Sequence, residues 1–374
     1  VTVDTRRVAV IPGDGVGPEV VPVALDALRA AADIDGGLAF EFSEFPWGCQ
    51  YYLEHGTMMP SDGLAILGEY TDIVLGAVGW PTVPDHVSLW GLLLPIRRGF
   101  QLYANLRPTR ILRGAPSPLA AARSGAVDFT VLRENTEGEY SNIGGRLHRD
   151  LPHEVVVQTT IFTKVGTERI VRYGFELATR SRNVLVGATK SNGINYVMPY
   201  WDEVFHRIAT EYPQVRASLM HADALAAKIV LEPESFDVIV ASNLLGDILS
   251  EVGAAVQGGI GMAPSANLNP EGGVPNMYEP VHGSAPDIAG RGIANPVGQI
   301  WSVKLMLDQL ERRELGSILL DAIEDVLESG YVTPDLGGSA TTAAMGAAVV
   351  ARFRELSEGP TPERIPHATR AEGS

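Results

Sequence analysis

The sequence predicts an α/β architecture in two lobes, and three observations support it. Short β-branched runs alternate with longer stretches of helical period, the pattern of strands separated by helices. At 374 residues the chain exceeds the usual size of one domain and can bury more than one core. The first glycine-rich turn follows a strand and opens a helix, yet lacks the spacing of a dinucleotide loop. That turn is therefore not read as a Rossmann dinucleotide fingerprint.

In chain order, Arg7–Ile11 reads as the first strand and runs into Gly13-Asp14-Gly15-Val16-Gly17-Pro18. The spacing is GxGxG, Pro18 stands where a last glycine should be, and no acidic residue closes a short second strand about 20 residues later. A tight strand-to-helix turn with Pro18 at the first helical position explains Gly13, Gly15 and Gly17 better. The helix that follows spans Glu19–Ala32, with Val20, Val23, Ala24, Ala27, Leu28 and Ala31 along one face. Further strands are expected at Asp72–Ala77, Asp128–Arg133, Asn183–Ala188 and Phe236–Ala241, and further helices at Thr167–Thr179 and Ser302–Leu310. Between Glu139 and Ile161 a Gly-rich and then β-rich stretch predicts a hairpin arm, either lying at the surface or pairing with another subunit. From Ser357 the chain turns polar and Pro-rich, which predicts a loosely held tail.

The composition is ordinary for a globular protein, but the formal net charge is −16. Such a surface repels phosphate backbones and anionic membranes, so neither nucleic acid nor membrane is an expected partner. An anionic substrate would need a local cluster of Arg or Lys working against that field. Cys49 is the only cysteine, which rules out an internal disulfide and a thiolate metal site. No apolar run approaches the ~20 residues that span a bilayer, and the opening VTVDTRR has no apolar signal core. The expected compartment is the cytoplasm.

Against that field, Arg97 and Arg98 in LLLPIRRGF, Arg107 in YANLRPTR and Arg133 at the end of DFTVLR suggest a carboxylate clamp. The planar guanidinium fork matches a carboxylate bidentately. Asp247 and Glu251 lie four apart in SNLLGDILSEVG and would share one helix face, with Leu244, Ile248, Leu249 and Val252 packed inward. With Asp223 in HADALAAKIV they form an oxygen-ligand set suited to Mg²⁺ or Mn²⁺, although an acidic face in water is the simpler account of the pair alone. Lys190 leaves the apolar run VLVGATKSNG beside Asn192, where burial or a neighbouring cation would make it a usable base. Tyr140 ends the acidic loop ENTEGEY and suits a general acid. In EPVHGSAPDIAG, continuing to Asn295, small residues allow close backbone approach to a ligand. Asp287 there can meet a ribose diol and His282 an adenine.

Taken together in this order, these motifs resemble the isocitrate/isopropylmalate dehydrogenase family, from about residue 6 to 350. The resemblance implies that family's own two-lobed α/β fold. One lobe, 1–103 plus 260–374, carries both chain ends and the NAD-binding loop. The other, 104–259, carries the metal carboxylates, the dimer interface and the hairpin arm. The resemblance makes Arg97, Arg107 and Arg133 the substrate-carboxylate arginines and Asn192 a contact to substrate and nicotinamide. Tyr140 becomes a proton relay to the enol carbon and Lys190 the base for the hydroxyl. Asp223, Asp247 and Glu251 fall on the metal ligands, with Lys190 and Asp223 (counted with the catalytic groups) serving the neighbouring subunit's site. Glu279, His282, Gly283, Ser284, Ala285, Asp287, Ile288 and Asn295 fall on the cofactor loop, where Asp287-Ile288 resembles the pair of NAD-type members.

The implied activity is metal-dependent, NAD-linked oxidation of a small 2-hydroxy dicarboxylic acid, with decarboxylation where the substrate allows. Segments such as FPWGCQYYLEHGTMMP and RENTEGEYSNIGGR resemble the branch acting on tartrate and D-malate. Trp90 would take up volume in the substrate site, and Gly91 lacks the hydroxyl that isocitrate-type members place there. The resemblance further implies a homodimer with shared sites and allows a monovalent cation. It leaves 3-isopropylmalate oxidation, or a catalytically weak regulatory role, as the alternatives. One position departs from the family: Glu251 stands where Asp is usual, lengthening the reach by ~1.3 Å against ~2.1 Å Mg²⁺ bonds.

Overall fold

The structure is a computed structural model that describes residues 3–119 and 125–358. Its strands are β1 (Asp4–Gly13), β2 (Leu38–Glu44), β3 (Asp72–Ala77), β4 (Ala104–Arg110), β5 (Asp128–Glu134), β6 (Gly144–Leu147), β7 (Val155–Gln158), β8 (Val184–Thr189), β9 (Arg216–His221), β10 (Val238–Ala241), β11 (Pro264–Leu268) and β12 (Asn276–Pro280). Ten of them form one sheet in the order β2-β1-β3-β12-β11-β4-β5-β10-β8-β9. Every pairing is parallel except the three that involve β11 and β4. Strands drawn from before residue 104 and after 260 fill one half of that order. Strands from 104–259 fill the other, and the halves meet where Ala266 of β11 pairs with Leu106 of β4.

Alternating side chains feed two different cores, as a sheet covered on both faces requires. In β1, Val8 and Val10 pack with the helices Gly17–Asp35 and Val297–Gln309, while Ala9 and Ile11 pack with Trp47, Met58 and Ile96. In β5, Leu132 joins Ile170 and Phe175 on one side, and Val131 joins Leu225, Ile229 and Leu249 on the other.

The strands and helices expected from periodicity are present with boundaries moved by a few residues, the largest shift being the helix Val297–Gln309, which starts earlier than Ser302. The strands β2, β4, β9, β11 and β12 were not expected. β4 contains Pro108 and two arginines and β11 opens on Pro264, which is loop chemistry to any propensity argument. The glycine turn is a packing device. Gly13 and Gly15 have φ of +68° and +61°, and a Cβ would come within 2.0 Å of the Ala77 carbonyl and 1.9 Å of the Ser284 carbonyl. Pro18 lies in the first turn of the helix it opens. β6 and β7 pair antiparallel as a separate two-stranded hairpin with every residue exposed, the arm expected between Glu139 and Ile161. The helix Thr342–Glu358 runs through Ser357, so the tail expected from Ser357 is not there at Ser357 and Glu358, and the rest of that expectation lies outside the described residues.

Candidate active site

The three arginines come from three elements and converge on one cavity of about 180 Å³. Arg97 sits in the helix Leu94–Gly99, Arg107 in β4 and Arg133 in β5, all three buried. Tyr140, Asp247, Glu279 and His282 share the wall with them, as do Leu89, Leu93 and Leu94. A crevice of about 750 Å³ between Tyr173 and Trp301 is larger, but contains none of these groups. Several of its charges are paired within the crevice wall, as in Lys304 with Asp308 at 2.6 Å.

Asp247 is the counter-ion that allows Arg107 and Arg133 to be buried. Its Oδ1 accepts from Arg107 Nη1 at 3.0 Å and from Arg133 Nη1, and its Oδ2 accepts from the Tyr140 hydroxyl at 2.9 Å. Burial pushes the Asp247 carboxyl up, but Arg133, Arg107 and the Tyr140 hydroxyl more than reverse this and hold it below its usual value. Burial lowers Arg107 and Arg133, with Arg107 lowering Arg133 further, while Asp247 pulls both back. Tyr140 is raised by burial and then by Asp247, so its phenol keeps its proton.

Buried amides aim these charges. Arg133 donates Nε and Nη2 to Asn243 Oδ1 at 3.1 and 2.8 Å. Arg107 Nε donates to Asn105 Oδ1 at 2.8 Å, and Asn105 donates to Asn267, which donates to Glu279 at 2.8 Å. Glu279 in turn accepts from Arg97 Nη2 at 2.6 Å. Sequence reasoning missed Asn105, Asn243 and Asn267. Asn243 is the one position a sequence signal marks, since it opens the helix that carries Asp247.

Lys190 and Asp223 stand elsewhere. They follow β8 and β9, with Lys190 Nζ to Asp223 Oδ1 at 3.0 Å, and neither lines the cavity. β8 is three strands from β4, about 14 Å at ~4.8 Å per strand. The neighbour expected for Lys190 was a cation or an apolar pocket, and the structure gives it an anion instead. Lys190 lowers the exposed Asp223 carboxyl by its hydrogen bond. Asn192 is exposed beside them.

Asp247 and Glu251 do share a side of the helix Asn243–Gln257, but Asp223 does not join them. Among the described residues no three His, Cys, Asp or Glu side chains cluster to hold a metal. The inward packing expected of Leu244 and Ile248 is wrong, since they are 38% and 53% exposed. The buried side is Asn243, Gly246, Leu249, Ser250 and Gly253 instead, because the Arg133 and Thr109 side chains leave no room there for more than glycine. Glu251 lies on the same outer side and makes no hydrogen bond or ion pair among the described residues. Partial burial pushes its carboxyl up, helped by the Asp247 carboxylate, and Arg107 and Arg133 pull it down, the raising effects winning. The free, outward oxygens of Glu251 and the Asp247 carboxylate beside them fit a hard divalent cation, with further oxygen ligands still required.

The expected cofactor loop divides in two. Glu279, His282 and Gly283 line the cavity, whereas Asp287 is exposed and Ile288 and Ala285 pack on Val16 and Val20. Ser284 is buried, and its carbonyl accepts from Val16 N at 2.9 Å. Asn295 caps the helix Val297–Gln309 through Val297 N and donates to Asp335 at 2.9 Å, so its amide is already engaged. His282 Nε2 is buried without a partner and burial lowers its imidazole, leaving a neutral ring with one unused nitrogen. The open space where a Gly283 Cβ would stand fits the close approach of a flat polar ligand such as a nucleotide.

Trp90 does not fill the cavity. The turn Leu89–Leu93 is π-helical, and it presents Leu89 and Leu93 to the wall while Trp90 stacks under Arg98. A Cβ on Gly91 would meet Met58 at 2.5 Å, so this position faces Met58.

A family model described as isocitrate/isopropylmalate dehydrogenase matches residues 7–349. A probable tartrate dehydrogenase/decarboxylase of Bacillus subtilis is 53% identical over 95% of this chain and 100% of its own length. A D-malate dehydrogenase (decarboxylating) of Escherichia coli is 52% identical over 92% of this chain and 98% of its own. Among solved structures, an isocitrate dehydrogenase from Methylococcus capsulatus superposes with a TM-score of 0.84 at 31% identity, covering 93% of this chain and 99% of that one.

Proposed function

This chain belongs to the isocitrate/isopropylmalate dehydrogenase family, and on that premise we propose that it oxidises a small 2-hydroxy dicarboxylic acid of D-malate or tartrate type, with loss of a carboxylate where the substrate allows. The observation that carries the reading is the convergence of Arg97, Arg107 and Arg133 with Tyr140 and Asp247 on one small cavity. When bound, Mg²⁺ or Mn²⁺ supplies Lewis acidity and NAD accepts the hydride.

The residues of the chain do the rest. The arginines clamp the distal carboxylate and fix which carbon faces the nicotinamide. Tyr140, held protonated, returns a proton to the carbon that loses CO₂, and Lys190 takes the hydroxyl proton. Asp223, Asp247 and Glu251 hold the metal, with Asn192 meeting substrate and nicotinamide. Asp287 and Ile288 meet the adenosine half of NAD, and His282 offers its unused nitrogen there.

Lys190 and Asp223 reach an arginine cavity only if a second copy brings them, so the working unit we propose is a homodimer with shared sites. The exposed Leu244, Ile248 and Leu231, and the exposed valines Val155, Val156 and Val157 of the arm, are apolar surface suited to such a contact. We place the lobe crossings near residues 104 and 259, and the compartment in the cytoplasm. Among the described residues no helix is long and apolar enough to cross a membrane.

A second reading, 3-isopropylmalate oxidation, draws on Leu89, Leu93 and Leu94, which give the cavity an apolar wall. Turnover of D-malate, tartrate and 3-isopropylmalate, measured side by side with NAD and Mn²⁺ as NADH and CO₂ released, separates the two. D-malate is expected to be the better substrate by far. A preference for the bulkier acid sinks the small-acid reading and leaves only the family.

A further inference from the structure

Arg98 follows Arg97 in the helix Leu94–Gly99, so its side chain leaves about 100° around the helix and does not line the cavity. Its guanidinium lies over the Trp90 ring, 4.6 Å from the centroid, and its Nη2 donates to the main-chain carbonyl of Tyr140 at 2.6 Å. No carboxylate forms an ion pair with it among the described residues, and its Nε is buried without a partner. A cation this poorly compensated is costly to keep, unless what it holds matters.

What it holds is the backbone of Tyr140. That residue lies between β5 and the exposed hairpin β6–β7; Gly138, Glu139 and Ser141 on either side are held by Ile161, Ser242 and Thr159, and the Tyr140 carbonyl itself is held by Arg98. Its hydroxyl is tied to Asp247 and its carbonyl to Arg98, so the phenol is anchored at both ends. Trp90 stands on the π-helical turn Leu89–Leu93, a widened turn of the kind found at functional sites. The same turn sets Leu89 and Leu93 on the substrate wall.

We propose that Arg98, clamped on the face of Trp90, is the positioning residue for Tyr140, and couples the substrate wall to the proton donor. The inference rests on the role proposed for Tyr140 above. Arg98 touches neither substrate nor reacting atoms; it acts by fixing where the phenol points.

The test uses the full-length protein with D-malate, NAD and Mn²⁺, and the variants Arg98→Gln, Arg98→Lys, Trp90→Phe, Tyr140→Phe and Arg98→Gln/Tyr140→Phe. Tyr140→Phe should lower kcat about 100-fold, as loss of a general acid does. Arg98→Gln should lower kcat about tenfold with KM within about threefold, and should raise the solvent deuterium isotope effect on kcat as reprotonation slows. Arg98→Lys, which keeps a cation on the ring and a donor for the carbonyl, should recover most of that loss. In the double variant, Arg98→Gln should cost no more than about twofold beyond Tyr140→Phe, because the residue it positions has lost its proton. Independent, multiplying losses, or a loss confined to KM, overturn the assignment of Arg98. An unchanged kcat in Tyr140→Phe overturns the reading of Tyr140, and the assignment of Arg98 with it. Should Arg98→Gln lower Tm sharply, Trp90→Phe, which keeps an aromatic face, paired with Arg98→Lys repeats the cycle against Tyr140→Phe.

Discussion

In the proposed mechanism the Arg97–Arg107–Arg133 cavity and the Lys190–Asp223 pair carry the two halves of one chemistry, yet the chain treats them oppositely. The cavity side is buried, internally paired and braced by Asn105, Asn243 and Asn267. The Lys190–Asp223 side is an exposed ion pair beyond β8 and β9, with exposed Asn192, Ile194 and Tyr196 around it. Burial of three cations demands counter-ions and amides from the same chain, because leaving them bare is expensive. An exposed Lys–Asp pair needs nothing further to be stable and gains little from being there. The contrast teaches that one chain satisfies its buried arginines internally, while the exposed Lys190–Asp223 pair is the half that the proposed dimer would bring to a cavity.

The largest effect expected from this asymmetry is intersubunit complementation. Lys190→Met and Asp247→Asn should each abolish turnover in the pure protein. Mixed under conditions that exchange subunits, they should regain roughly a quarter of wild-type activity, since about half of the dimers are hybrid and each hybrid rebuilds one site. Absence of any recovery, with hybrids demonstrated by a tagged subunit, places Lys190 and Asp247 in the same chain's site and ends the comparison.

In the proposed dimer, cofactor choice would belong to the chain that owns the cavity. Asp287 is exposed, and a carboxylate placed at the adenine ribose accepts from the diol and repels a 2′-phosphate. NAD should be preferred over NADP by at least about 100-fold in kcat/KM, on the order of 3 kcal/mol. In complementing hybrids that carry Asp287→Ser, preference should relax only when the substitution sits on the Asp247-bearing subunit. Equal use of both cofactors by the wild type removes Asp287 from the argument.

A conservative change on the buried side is expected to do less, though still far more than a like change at a residue outside both sides. Arg133→Lys keeps the charge but loses the fork that grips Asn243 through two nitrogens and Asp247 through a third. KM for D-malate should rise roughly 30-fold, corresponding to ~2 kcal/mol for a charge-assisted hydrogen bond. Arg182→Lys, far from the cavity, serves as the comparison and should leave KM within about twofold. A KM unchanged in Arg133→Lys means that the guanidinium does not meet the substrate.

The two sides were not equally legible in the sequence. Arg107 and Arg133 end or interrupt apolar runs in a chain of net charge −16, so their convergence was readable as chemistry before any strand was placed. The strand carrying Arg107 was not readable, because Pro108 and its arginines mimic a loop and only the antiparallel partners β5 and β11 hold it extended. On the other side, the spacing of Asp247 and Glu251 identified a shared helix face. Periodicity could not tell which leucines of that helix face the core. Gly246 and Gly253 admit Arg133 and Thr109 so closely that the buried face shifts, leaving Leu244 and Ile248 outside. Trp90 misled for a similar reason: a π-helical turn moves each following side chain around the axis, and composition carries no sign of it.

The smallest effect concerns Glu251, one turn from Asp247 on the helix Asn243–Gln257. Its carboxyl is pushed above the usual value by burial and by Asp247, and it makes no ion pair among the described residues. A metal competes with the proton for that oxygen, so affinity should rise with pH as the carboxyl ionises, and this rise should extend to higher pH than an ordinary glutamate would give. Glu251→Gln should flatten that pH dependence and raise the Mn²⁺ concentration for half-activity about threefold to tenfold, with little effect on NAD binding. Glu251→Asp changes only reach. If the site is built around the longer side chain, the shorter one should lower activity at limiting metal and restore it at saturation. A faster Asp variant would instead make Glu251 a poorly fitting ligand. Metal titrations of kcat/KM at three pH values for wild type and both variants distinguish these outcomes. Indifference of the metal dependence to both substitutions takes Glu251 out of the metal site. The outward Leu244, Ile248 and Glu251 face would then be an interface between subunits and nothing more.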